Sequence, residues 1–291
     1  MMNNIMKTPV AIPVEKLHPF EGHPFKVQDN EEMNVLIESI QKQGILSPLI
    51  VHPKENTEDE YEIVSGHRRF RAAVKAGMKE VPALIVPLDR DEAAIAVVDS
   101  NLHREHILPS EKAFAYKLKL EAMKRQGKRT DLTSAQLEPK FRSNELLAET
   151  SPDSRPQIQR YIRLTHLIPQ LLDLVDEGRI AFTPAVELSY LDEDCQRDIV
   201  DEIDLNDATP SHAQTIKMRK FFEEGKLTTE VISSIMAEDK PNQKEKIVLR
   251  GDRVRQLIPK NIPISQTEEY VCKALEHYNK FLRNRAERDS R

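Results

Sequence analysis

Tryptophan is absent from this 291-residue chain, and only 5% of its residues are aromatic. It therefore offers no large aromatic platform for stacked bases. The two cysteines, Cys195 and Cys272, lie far apart in no CxxC or Cys/His spacing. That argues against a disulfide framework or a thiolate zinc site. No apolar run approaches a membrane span, so no membrane partner is expected. The opening segment MMNNIMKTPVAIP lacks the apolar core of a signal peptide, so the expected compartment is the cytoplasm. An excess of positive charge is missing too: 43 Lys and Arg against 48 Asp and Glu leave a net −5. No internal repeat is present. The chain is nevertheless 39% hydrophobic, too apolar to stay disordered, and long enough for about two domains.

The average charge hides an asymmetry. Arg104 to Gln170 carries 13 Lys and Arg but 8 Asp and Glu. A basic module inside an acidic chain suits a segment that meets a polyanion. Before it, Val10 to Val86 alternates short strands and helices. EEMNVLIESIQKQG places Met33, Leu36, Ile37 and Ile40 on one helical face, ending at Gly44. SPLIVHP, YEIVS and VPALIVP read as strands, and HRRFRAAVKAG and RDEAAIAVVDSNLHRE as helices. From Pro109 to Leu191 the pattern is helical throughout, with a polar connection at KRTDLTSAQLEPKF.

Chemistry concentrates first in YEIVSGHRRFRAAVKAG. A strand feeding a glycine and then a helix exposes free backbone N–H groups, and these and the helix dipole favour an anion. Ser65 is a candidate cap, Gly66 permits close approach of a ligand, and Arg68 and Arg69 add forks suited to phosphate oxygens. The bland alternative on composition alone is a solvated basic helix with Phe70, Ala73 and Val74 packed inward. DSNLHRE supplies a second polar cluster with Asn101, His103 and Arg104.

These segments resemble the ParB-type chromosome and plasmid partition family. VSGHRRFRAAVKAGMKEVPALIV is similar to its G-E-R-R-x-R-A stretch and following V-P strand. SNLHRE is similar to E-N-x-Q-R, QKQGILSPLIV to its helix–G-I-L-Q-P–strand segment, and KLHPFEGHPFKV sits at its P-N-P-x-Q-P-R segment. The matches run in family order from Val14 to Leu191. The resemblance implies an α+β ParB/sulfiredoxin-like N-terminal domain that binds CTP with Mg2+. Gly66, His67, Arg68 and Arg69 then fall on the phosphate turn, Asn101 and Arg104 on the second element, and Asn101 beside the metal. Arg71 matches a third arginine that the family uses near DNA and between subunits. Three positions depart from the pattern. His67 and Ser100 stand where the family has Glu, and Ser47 where it has Gln. A serine hydroxyl binds metal or orients water far less well than a carboxylate, so the expectation is nucleotide binding with weak or no CTPase activity. Catalytic residues are not assigned. A sulfinic-acid reductase on this fold is excluded because Gly66 runs directly into His67 with no Cys between. A phosphotransferase on the same fold, and a transcription regulator without nucleotide binding, remain alternatives.

RSNELLAETSPDSRPQIQRYIRL carries the punctuation of a helix-turn-helix. Ser143 and Ser154 are the expected caps, and Ile158, Tyr161, Ile162 and Thr165 the inner face. Arg155, Gln157, Gln159, Arg160 and Arg163 are left outside. Arg155 and Gln157, at the helix start, suit base edges, while Arg160 and Arg163 suit phosphates. Lys124 and Arg125 in KLKLEAMKRQGKR suit further backbone contacts. An ordinary helical hairpin with a charged outer face is the bland alternative. The last segment, a strand at KIVLR and a helix over 266–283, is too small to be stable alone and suggests pairing with a second copy. The expected layout is thus 1–108 nucleotide-binding, 109–237 all-α and DNA-binding, 238–245 linker, and a small α+β dimerisation segment at 246–291. Expected partners are double-stranded DNA, a second copy and, by resemblance, a partition ATPase, at the nucleoid.

Overall fold

Three apolar runs become the centre of a mixed sheet in the computed structural model, which describes residues 8–104, 106–130, 139–238, 257–259, 263 and 266–289. The strands are β1 (Val10–Pro13), β2 (Leu17–Pro19), β3 (Leu49–Pro53), β4 (Tyr61–Ser65) and β5 (Glu80–Ile85), in spatial order β1-β5-β3-β4-β2. β3 runs antiparallel to β4 and parallel to β5. β1 is antiparallel to β5, and β2 is parallel to β4. The two outer strands are short and end in Pro13 and Pro19, which a sheet tolerates at its edges.

Helices cover both faces. α1 (Glu31–Gln43) starts where the Asn30 side chain accepts from the Met33 N–H at 3.1 Å, and ends at Gly44 with φ 70°. It packs Met33 and Ile40 against Ala72 of α2 (His67–Lys75). α2 in turn places Phe70 and Ala73 on Leu49, Val51 and Ile63. On the other face α3 (Arg90–Asp99) lays Ala93, Ala94 and Val97 against Val64 and Phe20.

α4 (Pro109–Thr130) links this sheet domain to a run of helices. Its Ala115, Tyr116 and Leu120 join Val98 and Leu102 on one side, and Leu147 and Ile158 on the other. The last two belong to α5 (Pro139–Glu149) and α6 (Arg155–Leu164). Then come α7 (Pro169–Asp176), α8 (Phe182–Leu188), α9 (Glu193–Asn206), α10 (His212–Glu223) and α11 (Thr229–Met236) around a second core that includes Leu164, Leu171, Leu188, Ile199 and Met218. The chain divides into two compact units, Met1–Glu238 and Asp239–Arg291. The second contains α12 (Thr267–Asp289); the KIVLR strand expectation lies outside the described residues.

Two caps differ from expectation. Gly66, not Ser65, is the N-cap of α2, and no side chain caps that end. Ser143 lies inside α5, which begins at Pro139, because proline at a first helical position is preorganised for the helix. Ser154 does precede α6.

Candidate functional site

The turn from β4 into α2 depends on Gly66, whose φ of 106° places it where L side chains rarely go. A Cβ there would sit 3.2 Å from both Leu49 Cγ and Arg69 Nη2. The glycine therefore lets Arg69 fold back against the turn. Arg69 Nη1 donates to the carbonyl oxygens of Ser47 and Pro48, the latter at 2.9 Å, so Arg69 braces the GILSP loop. Arg68 points elsewhere. It lines a cleft of about 770 Å³ together with Lys26, Gln28, Asn30, Glu32, Arg104 and Glu111. Its Nη2 meets Glu32 Oε2 at 2.9 Å on the exposed rim. Arg71 makes a bidentate pair with Asp29 at 2.8 and 2.6 Å, joined by Lys75 at 2.8 Å. That pairing holds the Asp29 carboxyl well below the usual carboxylate range.

The second element supplies Arg104 to the same cleft, its guanidinium 5.6 Å from the Phe25 ring centroid. Burial, first of all, lowers the Arg104 pKa. Asn101 is buried and donates from Nδ2 to Val97 O at 2.7 Å and to Ser100 Oγ at 3.1 Å. Its amide nitrogen is thereby committed, leaving Oδ1 for a cation. The two carboxylates on the cleft are both engaged. Glu32 pairs with Arg68, and Glu111 accepts from the backbone N–H groups of Lys26 and Leu108 at 2.7 and 3.1 Å. Asp99 turns to Lys119, whose Nζ donates to it at 2.5 Å. Among the described residues no group of three or more His, Cys, Asp or Glu could hold a metal. The donor set fits a polyphosphate well. For Mg2+ the neighbouring Asn101 Oδ1, whose residue is not among those lining the cleft, is a single neutral donor, so phosphate oxygens would have to supply most of the ligands.

His67, the first residue of α2, is 8% exposed. Its ring lies on that of His23, with centroids 3.7 Å apart and planes at 34°. His23 Nδ1–H donates to Phe25 O at 2.8 Å, and the Nε2 atoms of both rings are buried with no hydrogen-bond partner among the described residues. Burial is the main cause that lowers the His67 pKa to about 3 and the His23 pKa to about 4, with Arg104 pushing both the same way. Sequence reading singled out His67 but not His23, Lys26, Glu111 or Lys119. Nothing in a linear pattern joins residues so far apart.

The family model for the ParB N-terminal domain matches residues 2–102. Residues 2–102 therefore form a ParB N-terminal domain. The chromosome-partitioning protein Spo0J of Thermus thermophilus is 33% identical over 184 residues, which is 63% of this chain and 60% of that protein. A nucleoid occlusion protein of Listeria monocytogenes is 36% identical over 110 residues, 38% of each chain. The chain thus spans less than two thirds of the length of these relatives. Two crystal structures of a C-terminally truncated ParB from Caulobacter crescentus are also similar. The one complexed to the centromeric parS site is 22% identical with a TM-score of 0.41, covering 78% of this chain and 98% of that one. The one complexed with CTP-gamma-S is 26% identical with a TM-score of 0.31, covering 62% and 91%.

Behind the ParB N-terminal domain, the residues expected at DNA divide into two groups. Arg155 and Gln159 are exposed at the start of α6, and Gln157 is half-buried. Arg155 Nη1 lies 3.9 Å from Glu145, and Gln159 Nε2 donates to Asn144 Oδ1 at 3.3 Å. Arg160 and Arg163 instead brace α6 against the α8 region. Arg160 Nη2 donates to Thr183 Oγ1 at 3.0 Å, and Arg163 Nη2 to Ser189 O at 2.7 Å. Tyr190 is sandwiched between Arg163 and Arg219, 4.1 and 3.7 Å from its ring centroid. On α4, Lys124 is half-buried, while Arg125 Nε meets the buried Asp91 at 2.7 Å.

Proposed function

We propose that this chain is a sequence-specific DNA-binding protein of the partition type whose N-terminal cleft binds a nucleoside triphosphate, CTP by family resemblance. The observation that carries the reading is the convergence of Arg68 and Arg104, from two separate motifs, on one cleft beside the Gly66 turn. Guanidinium forks there suit phosphate oxygens, and Asn101 Oδ1 would help hold the Mg2+ that neutralises them. Hydrolysis should be slow, because Glu32, Glu111 and Asp99 are all engaged and Ser47 and Ser100 replace the family's side chains. A binding screen of the full chain against CTP, ATP and GTP tests this. The expected result is selective CTP binding, weakened more than tenfold by Arg104→Ala, the loss of a charge-assisted contact of about 1.5–3 kcal/mol. Phosphate release is expected near background. Selective ATP binding would point to the phosphotransferase reading instead, and binding of none would leave a DNA-binding regulator.

We read α5, the 150–154 turn and α6 as a helix-turn-helix facing double-stranded DNA. Arg155, Gln157 and Gln159 are the residues available to base edges; Arg160 and Arg163 set the tilt of α6. Arg155→Ala should reduce discrimination between target and random DNA by about 1–3 kcal/mol. Lys124→Ala should weaken both equally and lower the salt slope by about one. Gel shifts across a salt series separate these, and equal losses on all sequences for both variants would contradict the assignment. In the second unit, α12 exposes Leu275, Tyr278 and Phe281. That apolar stripe suits a second copy of this chain, and a full-length protein sedimenting as a monomer at high concentration would remove the homodimer. A partition ATPase and a place at the nucleoid follow from family resemblance alone.

A further inference from the structure

The stacked histidines are the least expected feature of the cleft region. Both Nε2 atoms are shut away from solvent without a hydrogen-bond partner among the described residues, an arrangement that is costly in a native interior. A metal does not explain it: among the described residues no third His, Cys, Asp or Glu joins the two rings, and the neighbouring charge is cationic. Arg104 faces both rings from the connection after α3, and Arg68 on α2 adds to the field at Arg104. The countercharges are Glu111 on α4, acting on Arg104, and Glu32 on α1, paired with Arg68. With that balance an imidazolium is disfavoured.

Resting on the nucleotide reading above, we propose that the cleft takes up a polyphosphate and a proton together, and that the His23–His67 pair receives the proton. The triphosphate brings several negative charges to Arg68 and Arg104. The field at the rings then changes sign, and the protonated state that the free protein disfavours becomes favourable. The proton comes from solvent and forms one N–H bond at an Nε2. Two positive rings 3.7 Å apart would repel strongly, so uptake stops at one.

Calorimetric titration of the full chain with CTP at pH 6.5, in two buffers of different ionisation enthalpy, measures the protons bound. His67→Gln removes the pair's contribution while the ligand's own ionisation stays the same, and His23→Gln gives a second, independent comparison. Wild type should take up close to one more proton per CTP than either variant. Its affinity should fall by up to about tenfold per pH unit as the pH rises above the free-protein values of about 3 and 4, until the bound pair itself deprotonates, and more steeply than that of the variants. CTP binding with the same proton count in wild type and both variants would overturn the proposal and leave nucleotide binding intact. Failure of wild type to bind CTP or inorganic tripolyphosphate would overturn both.

Discussion

Replacing Asp99 with alanine should cost the first unit about 3 kcal/mol, while Lys119→Met should cost no more than about 1 kcal/mol. The asymmetry follows from where each charge sits. Lys119 is 1% exposed, whereas the Asp99 side chain is 46% exposed. Take away the carboxylate and a buried ammonium keeps only the Thr150 hydroxyl and carbonyl, at 3.0 and 3.5 Å. Take away the ammonium and Asp99 rehydrates, while the Thr150 hydroxyl keeps its bond to Leu146 O at 2.9 Å. Urea unfolding of the two variants with matched m-values measures the difference. A larger loss for Lys119→Met than for Asp99→Ala would refute this account. The pair also matters for function, because Lys119 joins the end of α3 to the residue that opens the turn before α6. Asp99, next to the position where the family keeps a glutamate, is thereby held away from cleft chemistry.

The parts of the fold legible in the sequence are those with a strong local signal. β3, β4 and β5 are apolar runs bounded by turn residues, and α1 carries its core face in Met33 and Ile40. β1 and β2 were not legible as elements, because three or four residues ending in proline give no period. α5 begins five residues earlier than NELLAET suggests: Pro139 lies within the polar stretch KRTDLTSAQLEPKF, which has no helical period, although proline favours a helix start. At the site, motif order placed Arg68 and Arg104 in one cleft from two distant segments. Motifs say which residue types are present but not whom they face. The Arg69 contacts with Ser47 and Pro48, the Arg71 pair with Asp29 and the Arg125 pair with Asp91 are all set by chain segments more than twenty residues away. An outward position on a helix wheel therefore gave Arg160 and Arg163 to phosphate when the neighbouring α8 region claims both. The partner of His67 was invisible for the same reason, lying 44 positions earlier in an irregular loop.

That partner makes the free protein sensitive to acid in a calculable direction. The His67 pKa falls from 6.5 in the unfolded chain to about 3 in the folded one. Between those values the unfolded chain binds a proton that the folded chain refuses. The stabilisation is complete above about pH 6.5 and is lost as the pH falls toward 3. One proton corresponds to a slope of about 1.4 kcal/mol per pH unit, or roughly 3 kcal/mol between pH 6.5 and pH 4. His23, lowered to about 4, acts in the same direction over the upper part of that window. Glutamine cannot titrate, so His67→Gln should lose the His67 share of the slope. Carboxylates such as Asp29 also weaken the fold on acidification, but they are common to both proteins and cancel in the difference. Urea midpoints measured from pH 7.5 to pH 4 should therefore converge, with wild type losing stability faster. Parallel curves would show that the buried pair carries no proton linkage. Saturating CTP should flatten the wild-type slope more than that of His67→Gln, since the bound polyphosphate lets the folded pair accept from solvent the proton that the free protein refuses.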